Sequence, residues 1–154
     1  MRIGCLGLGR MGWQIAAHLA GHDDLHDLVV FDVVEDHGSR WVAEHGGRAA
    51  DSVAAAVADA EFVITSLPSD RELQVVADEL VPAISGGAIW VDHSTTSARI
   101  AREVGDRMSA VDAHFLDAPV SGGVDGARKG SLTVMAGGDE DAFSRAVPVM
   151  EMYA

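Results

Sequence analysis

The chain of 154 residues has one cysteine, one tyrosine, one lysine and four prolines, and no apolar run near the length of a membrane span. A single thiol excludes a disulfide framework and any zinc site built on several thiolates. Apolar stretches well short of roughly 20 residues leave no transmembrane helix. The opening MRIGCLGLG is too short and too glycine-rich before Arg10 to act as a secretory leader, so a reducing, cytoplasmic setting is expected. Positive charge is scarce as well: 11 basic against 24 acidic residues give a net charge of −13. A field of that sign repels polyanions, which excludes nucleic acid and anionic membrane surfaces as natural partners. Ten of the eleven basic residues are arginines, and Lys129 stands alone.

What the chain does have is alternation. Short apolar runs rich in Val, Ile and Leu, at residues 2–7, 28–32, 61–67, 88–92, 114–118 and 131–136, predict strands, with a short extra one at 48–50. Segments of helical period lie between them, at 11–20, 39–45, 51–58, 71–83, 97–111 and 140–150. The strand runs are apolar throughout, as expected when helices cover both faces of a parallel sheet. With no repeat and no linker, the pattern predicts one doubly wound α/β domain over residues 1–154, its sheet mainly parallel.

The turn after the first strand carries the most chemistry. Gly7-Leu8-Gly9-Arg10-Met11-Gly12 is a G-x-G-x-x-G that opens a helix. In such a turn the first glycine permits the sharp bend, the second lets backbone approach a pyrophosphate, and the third lets helix and sheet pack closely. Helix N–H groups then face the phosphates. Asp32 ends the next strand run 20 residues after Gly12, where an acid accepts hydrogen bonds from the ribose hydroxyls of a dinucleotide. A carboxylate there repels a 2′-phosphate, and Val33-Val34 offers no arginine to receive one, which favours NAD over NADP; Arg40 is close enough in sequence to oppose that preference. Flavin and S-adenosylmethionine compete for the same kind of turn, and so does a glycine turn that binds nothing.

Later segments add weaker signals. Leu67-Pro68 stops the fourth strand, and Ser94-Thr95-Thr96 is expected to cap the helix after the fifth; both fall at strand ends, where open parallel sheets bind ligands. In Asp117-Ala118-Pro119-Val120-Ser121-Gly122-Gly123, a hydroxyl and bare backbone N–H groups suit a small carboxylate, and equally suit a plain connection. His18, His22 and His26 are spaced by four, but Gly21 is expected to end the helix between the first two, which argues against a shared metal. Lys129 reads as a solvent-exposed residue of a loop over 126–130, and Cys5 as a buried small apolar residue.

The motif at residues 7–12 and the one at 117–123 together resemble the β-hydroxyacid dehydrogenase family, which includes 3-hydroxyisobutyrate dehydrogenase, tartronate semialdehyde reductase and, more distantly, 6-phosphogluconate dehydrogenase. The resemblance runs the length of the chain. It implies a Rossmann-type domain binding NAD, with cofactor contacts at Gly7, Leu8, Gly9, Met11, Gly12, Asp32, Leu67, Pro68 and Thr95. It implies a substrate carboxylate held by Ser121, Gly122 and Gly123, and hydride transfer to or from a small β-hydroxy acid. Members of the family continue through a further strand into an all-helical domain whose first helix bears the lysine acting as general acid/base. No residue of this chain matches that lysine, so no catalytic residue is assigned and the chain alone is expected to be inactive. Glu72 stands where relatives have an asparagine, and no role is carried over to it. The uncovered surface implied by a missing partner domain predicts self-association, as a homo-oligomer. Two other readings stay open: a non-catalytic dinucleotide-binding module, and the cofactor domain of an imine-reductase-like relative.

Overall fold

The computed structural model describes residues 1–23 and 27–154. His26 of the histidine series lies outside the described residues. Six strands form one parallel sheet: β1 (Arg2–Leu6), β2 (Asp27–Phe31), β3 (Arg48–Ala49), β4 (Phe62–Thr65), β5 (Ile89–Asp92) and β6 (His114–Asp117). Their order is β3-β2-β1-β4-β5-β6, so the winding reverses between β1 and β4. Adjacent strand ends diverge at that point and open a crevice above the carboxyl edge.

Successive side chains of β1, β2, β4, β5 and β6 feed two separate cores, while β3 is an exposed edge. Ile3, Cys5, Val30, Ile64 and Val91 face one side. There they pack under α1 (Arg10–Ala20), α2 (Glu35–His45) and α7 (Glu140–Met150), through Ile15, Trp41 and Ala146. Leu6, Val29, Val63 and Trp90 face the other, under α3 (Val53–Val57), α4 (Asp70–Leu80) and α5 (Ala98–Ser109). Both faces are therefore dry, which is why the strand runs show no polar alternation.

Four expectations need correction. Residues 131–136 do not add a strand to the main sheet. Only β8 (Thr133–Val134) forms, and it pairs antiparallel with β7 (Val120–Ser121) in a separate two-stranded ribbon. Secondly, the 126–130 loop is helical: α6 runs Gly123–Lys129 and ends on Gly130 in the left-handed region. Glycines at 123 and 126 disguise it in the sequence, yet Ala127 is fully buried and His18 of α1 bonds the Ala127 and Arg128 carbonyls, at 3.0 and 3.1 Å. Lys129 is thus the exposed last residue of a helix. Thirdly, α2 starts four residues before the predicted 39, because Glu35 and Asp36 are favourable in a first turn despite being polar. Lastly, the cap of α5 is Ser97, whose hydroxyl accepts from the Ile100 N–H, and not the Ser94-Thr95-Thr96 run before it. Gly21 does end α1, as expected.

Candidate functional site

A cleft of about 650 Å³ opens at the β1/β4 crossover, between the N-terminal turns of α1, α2 and α4. Its floor is the first glycine turn, and two of those glycines are required by the protein itself. Gly7 sits at φ +90°, and a Cβ there would meet the Ser66 carbonyl at 2.4 Å; one at Gly12 would meet the Gly7 carbonyl oxygen at 1.9 Å. Gly9 differs. Its φ is ordinary and a Cβ on it would touch nothing within 4 Å, so the space above it is left open. Gly9 is also the N-cap of α1 and supplies no side-chain cap, whereas α3, α4, α5 and α7 are capped by Ser52, Ser69, Ser97 and Asp139. The first-turn N–H groups of α1 thus meet no capping side chain and no acidic residue, and are suited to an anion.

Asp32 faces this turn from the end of β2. Its Oδ2 accepts the Leu8 N–H at 2.6 Å and its Oδ1 accepts the Val34 N–H at 2.8 Å. Each oxygen keeps a free lone pair, so the carboxylate is oriented without being saturated. Leu8 therefore contributes its backbone rather than its buried side chain. Beyond the acid, Val33 is 87 % exposed and Val34 49 %, and Val75 of α4 stands 52 % exposed in the same cleft. Three exposed valines around one opening are an unusual use of a β-branched apolar residue, and suit the flat face of a base.

On the β4 side, the strand ends are tied together from below. The Leu67 N–H donates to the Ser94 hydroxyl at 2.8 Å, and that hydroxyl donates to Asp92 at 2.6 Å. Thr65 donates to the same Asp92 oxygen at 2.5 Å while accepting from the Trp90 indole at 2.9 Å. Asp92 is fully buried, and that burial pushes its carboxyl above the usual range, aided by the nearby Asp117 and opposed by the Ser94 and Thr65 hydrogen bonds. Burial raises Asp117 as well. It lines a second, shallower hollow of about 420 Å³ with Arg102 and Asp106, between α5 and the edge of the sheet. Glu72 serves the fold: its carboxylate accepts the hydroxyl of Ser69, the N-cap residue of α4 three positions earlier, whose oxygen in turn accepts the Arg71 N–H.

His93 and Tyr153 form a further buried link. His93 Nδ1 lies 2.6 Å from the Ala118 carbonyl, which can only accept, so Nδ1 carries a proton. Burial lowers the imidazole's affinity for a second proton. Nε2 of the neutral ring is then an acceptor, and the Tyr153 hydroxyl donates to it at 2.9 Å. This pair joins the end of β5, the end of β6 and the residues after α7.

The cleft brings together Gly7, Gly9, Met11, Asp32, Leu67 and Pro68 among the residues expected to contact a cofactor. Gly12 lies behind them against Gly7. Thr95 is exposed outside the cleft, and Ser121, Gly122 and Gly123 are exposed and line neither hollow. Arg10, His37 and Arg71 also line the cleft and were not singled out from sequence as ligand contacts. Only Arg10 carried a signal, its place inside the glycine motif. Cys5 is buried in β1, and burial raises its thiol to about 12, leaving it unreactive. Among the described residues no group of three His, Cys, Asp or Glu side chains is placed to hold a metal ion; His18 is occupied by the α6 carbonyls. Among the same residues no helix is long and apolar enough to cross a membrane.

A family model described as the NAD binding domain of 6-phosphogluconate dehydrogenase matches residues 2–154. The chain belongs to that family. It is 38 % identical over 154 residues to 3-hydroxyisobutyrate dehydrogenase from Pseudomonas aeruginosa, an alignment covering 97 % of this chain and 50 % of the relative. A solved structure of 3-hydroxyisobutyrate dehydrogenase from Mycobacterium tuberculosis with L-serine superposes with a TM-score of 0.93 at 38 % identity, covering 99 % of this chain and 52 % of that one. An imine reductase from Streptomyces aurantiacus shares the fold, with a TM-score of 0.88 at 20 % identity, over 100 % of this chain and 53 % of its own. The chain spans about half the length of the relatives it matches. The family is one of NAD(P)-binding oxidoreductase domains.

Proposed function

We propose that residues 1–154 form one dinucleotide-binding domain that holds NAD in the β1/β4 cleft, as the cofactor half of a dehydrogenase for a small β-hydroxy acid. The observation that carries this reading is Gly9: open space above a helix start with no capping side chain, opposite the half-satisfied carboxylate of Asp32. Backbone N–H groups of the α1 turn would hold the pyrophosphate, and the free lone pairs of Asp32 would accept from the ribose hydroxyls. Bound NAD would supply the hydride acceptor. Leu67, whose N–H is held by Ser94, and Pro68 would line the nicotinamide side, and Thr95 would contact the cofactor from outside the cleft.

The anionic Asp32 and the apolar Val33 and Val34 favour the unphosphorylated cofactor. Arg40 is not among the lining residues, although Arg71 is. Titrating the chain with NAD and NADP tests this: tighter NAD binding is expected, and equal or reversed affinities contradict it.

For the substrate, Ser121, Gly122 and Gly123 would receive the carboxylate. Support comes from their exposure, from the positive φ of both glycines, a backbone conformation in which successive N–H groups can form an anion-binding concavity, and from L-serine, itself a β-hydroxy acid, in the relative's structure. That loop is also what favours a hydroxy acid over an imine. Lys129, exposed at the end of α6, has among the described residues no fixed partner to place a proton at a substrate hydroxyl. The isolated chain is accordingly expected to bind NAD and to show no turnover with a panel of small β-hydroxy acids; turnover that Lys129→Ala removes would show that the lysine is the acid/base. Self-association is expected too. Among the described residues the outer edge of β6 is paired only through Asp117 and Gly137, and Met135 and Phe143 are exposed nearby in sequence. Light scattering that gives a monomer at high concentration contradicts it.

A further inference from the structure

We propose that His37 sets how strongly the cleft discriminates against a 2′-phosphate, and makes that discrimination depend on pH. The inference rests on the reading of the cleft as a dinucleotide site. His37 lies in the first turns of α2, and its Nδ1 stands 3.4 Å from Asp32 Oδ1. That nitrogen is shielded from solvent and has no hydrogen-bond partner among the described residues, although the ring as a whole is 31 % exposed in the cleft wall. Asp32 is 10 % exposed, and the lone pairs left free by its two backbone hydrogen bonds would accept the ribose hydroxyls. The imidazole is therefore the side chain that touches the discriminating acid, from a face the nucleotide would share.

With His37 neutral, Asp32 presents an uncompensated negative charge and a 2′-phosphate is repelled. With His37 protonated, the Nδ1–H pairs with Oδ1, the local charge is cancelled, and Nε2–H becomes a donor for a phosphate oxygen. Histidine side chains in general change charge between pH 5 and 8, which sets the range to be scanned. The other charged groups facing it across the cleft are Arg10 of α1, Arg71 of α4 and Glu72 of α4, whose carboxyl the Ser69 hydrogen bond holds below its usual range. Glu35 and Asp36, beside His37 on α2, are carboxylates. The 2′-phosphate itself loses charge near pH 6, which alone relaxes repulsion, so a variant must separate the two contributions.

The experiment is calorimetric titration of the intact chain with NAD and NADP at pH 8 and pH 6. The ratio of the NADP dissociation constant to that of NAD is expected to fall about tenfold in the wild type on going to pH 6, and by about threefold or less in His37→Gln. His37→Lys, with its fixed charge, is expected to show at pH 8 a ratio about threefold below the wild type's, the part of the change that does not come from the phosphate. Equal pH responses in wild type and His37→Gln, or a His37→Lys ratio no lower than the wild type's at pH 8, overturn the role of His37 while leaving the dinucleotide site standing. Binding of neither nucleotide to the wild type overturns the site itself, and His37 with it.

Discussion

The two glycine-rich turns of this chain look alike in sequence and differ in what surrounds them. The turn at residues 7–12 is enclosed: the Ser66 carbonyl packs against Gly7, the Gly7 carbonyl against Gly12, and Asp32 holds the Leu8 N–H. Everything that shapes it comes from β1, β2 and β4, and only Gly9 faces open space. The turn at residues 121–123 is attached to a ribbon of two short strands and a helix of seven residues, and Ser121 and both glycines lie exposed. Its main anchor is lateral, through the packing of α6 on α1 and the His18 bonds to the α6 carbonyls. The first turn is thus a finished site within one sheet. The second presents groups outward, and among the described residues nothing stands opposite them.

This contrast can be broken most severely at Gly12. Gly12→Ala forces a Cβ against the Gly7 carbonyl, and overpacking of that kind costs roughly 3 kcal/mol. Urea unfolding should register a loss of that size together with loss of nucleotide binding. Gly123→Ala, by contrast, meets no atom and carries only the left-handed backbone penalty of about 1 kcal/mol. It should leave nucleotide affinity unchanged.

Next in size is the buried link beneath the second turn. Tyr153→Phe removes the donor to His93 Nε2 and leaves a buried acceptor unmet, at about 1–2 kcal/mol. The same histidine gives a pH dependence whose sign is fixed. Its folded pKa is lowered by burial, so the unfolded chain binds more protons as pH falls below the ordinary histidine value near 6.5. Its contribution is complete above that value and is lost as pH falls through the window down to the depressed folded value. Asp92 acts oppositely: its raised pKa makes the folded state lose stability as pH rises through the window between its ordinary and its raised value. Melting curves from pH 8 to pH 5 should show a fall in stability that His93→Gln reduces. The smallest expected effect is at His18, where alanine frees the last α6 carbonyls. A loss of about 1 kcal/mol and faster amide exchange confined to α6 are expected, with NAD affinity intact.

Much of this contrast is visible in the residues alone. The first turn is legible because its determinants are local: three glycines at fixed spacing, a strand before, a helix after, and an acid one βαβ unit later. Five strands of the sheet (β1, β2, β4, β5 and β6) are legible because each is a mainly apolar run buried on both faces; β3, Arg48–Ala49, is a short exposed edge. The region after residue 120 is not, for a physical reason. Gly123 and Gly126 weaken any helical signal, and α6 forms because Ala127 buries against α1 and His18 ties down its carbonyls. The apolar look of residues 131–136 reflects Leu132 packing into the core, with Thr133 and Val134 making only a ribbon. His37 and Arg71 also escape a sequence reading, because they reach the cleft from two helices that meet only through the sheet order.

The central claim is that Gly9 is open because a nucleotide occupies the space, and one paired measurement tests it. NAD titration and thermal melting are carried out on the wild type and on Gly9→Val. Saturable binding by the wild type, at least tenfold weaker binding by the variant, and unchanged melting of the variant without ligand are the predicted results, since a side chain there meets no protein atom at its Cβ. Failure of the wild type to bind, or undiminished binding by a folded Gly9→Val, would contradict the account.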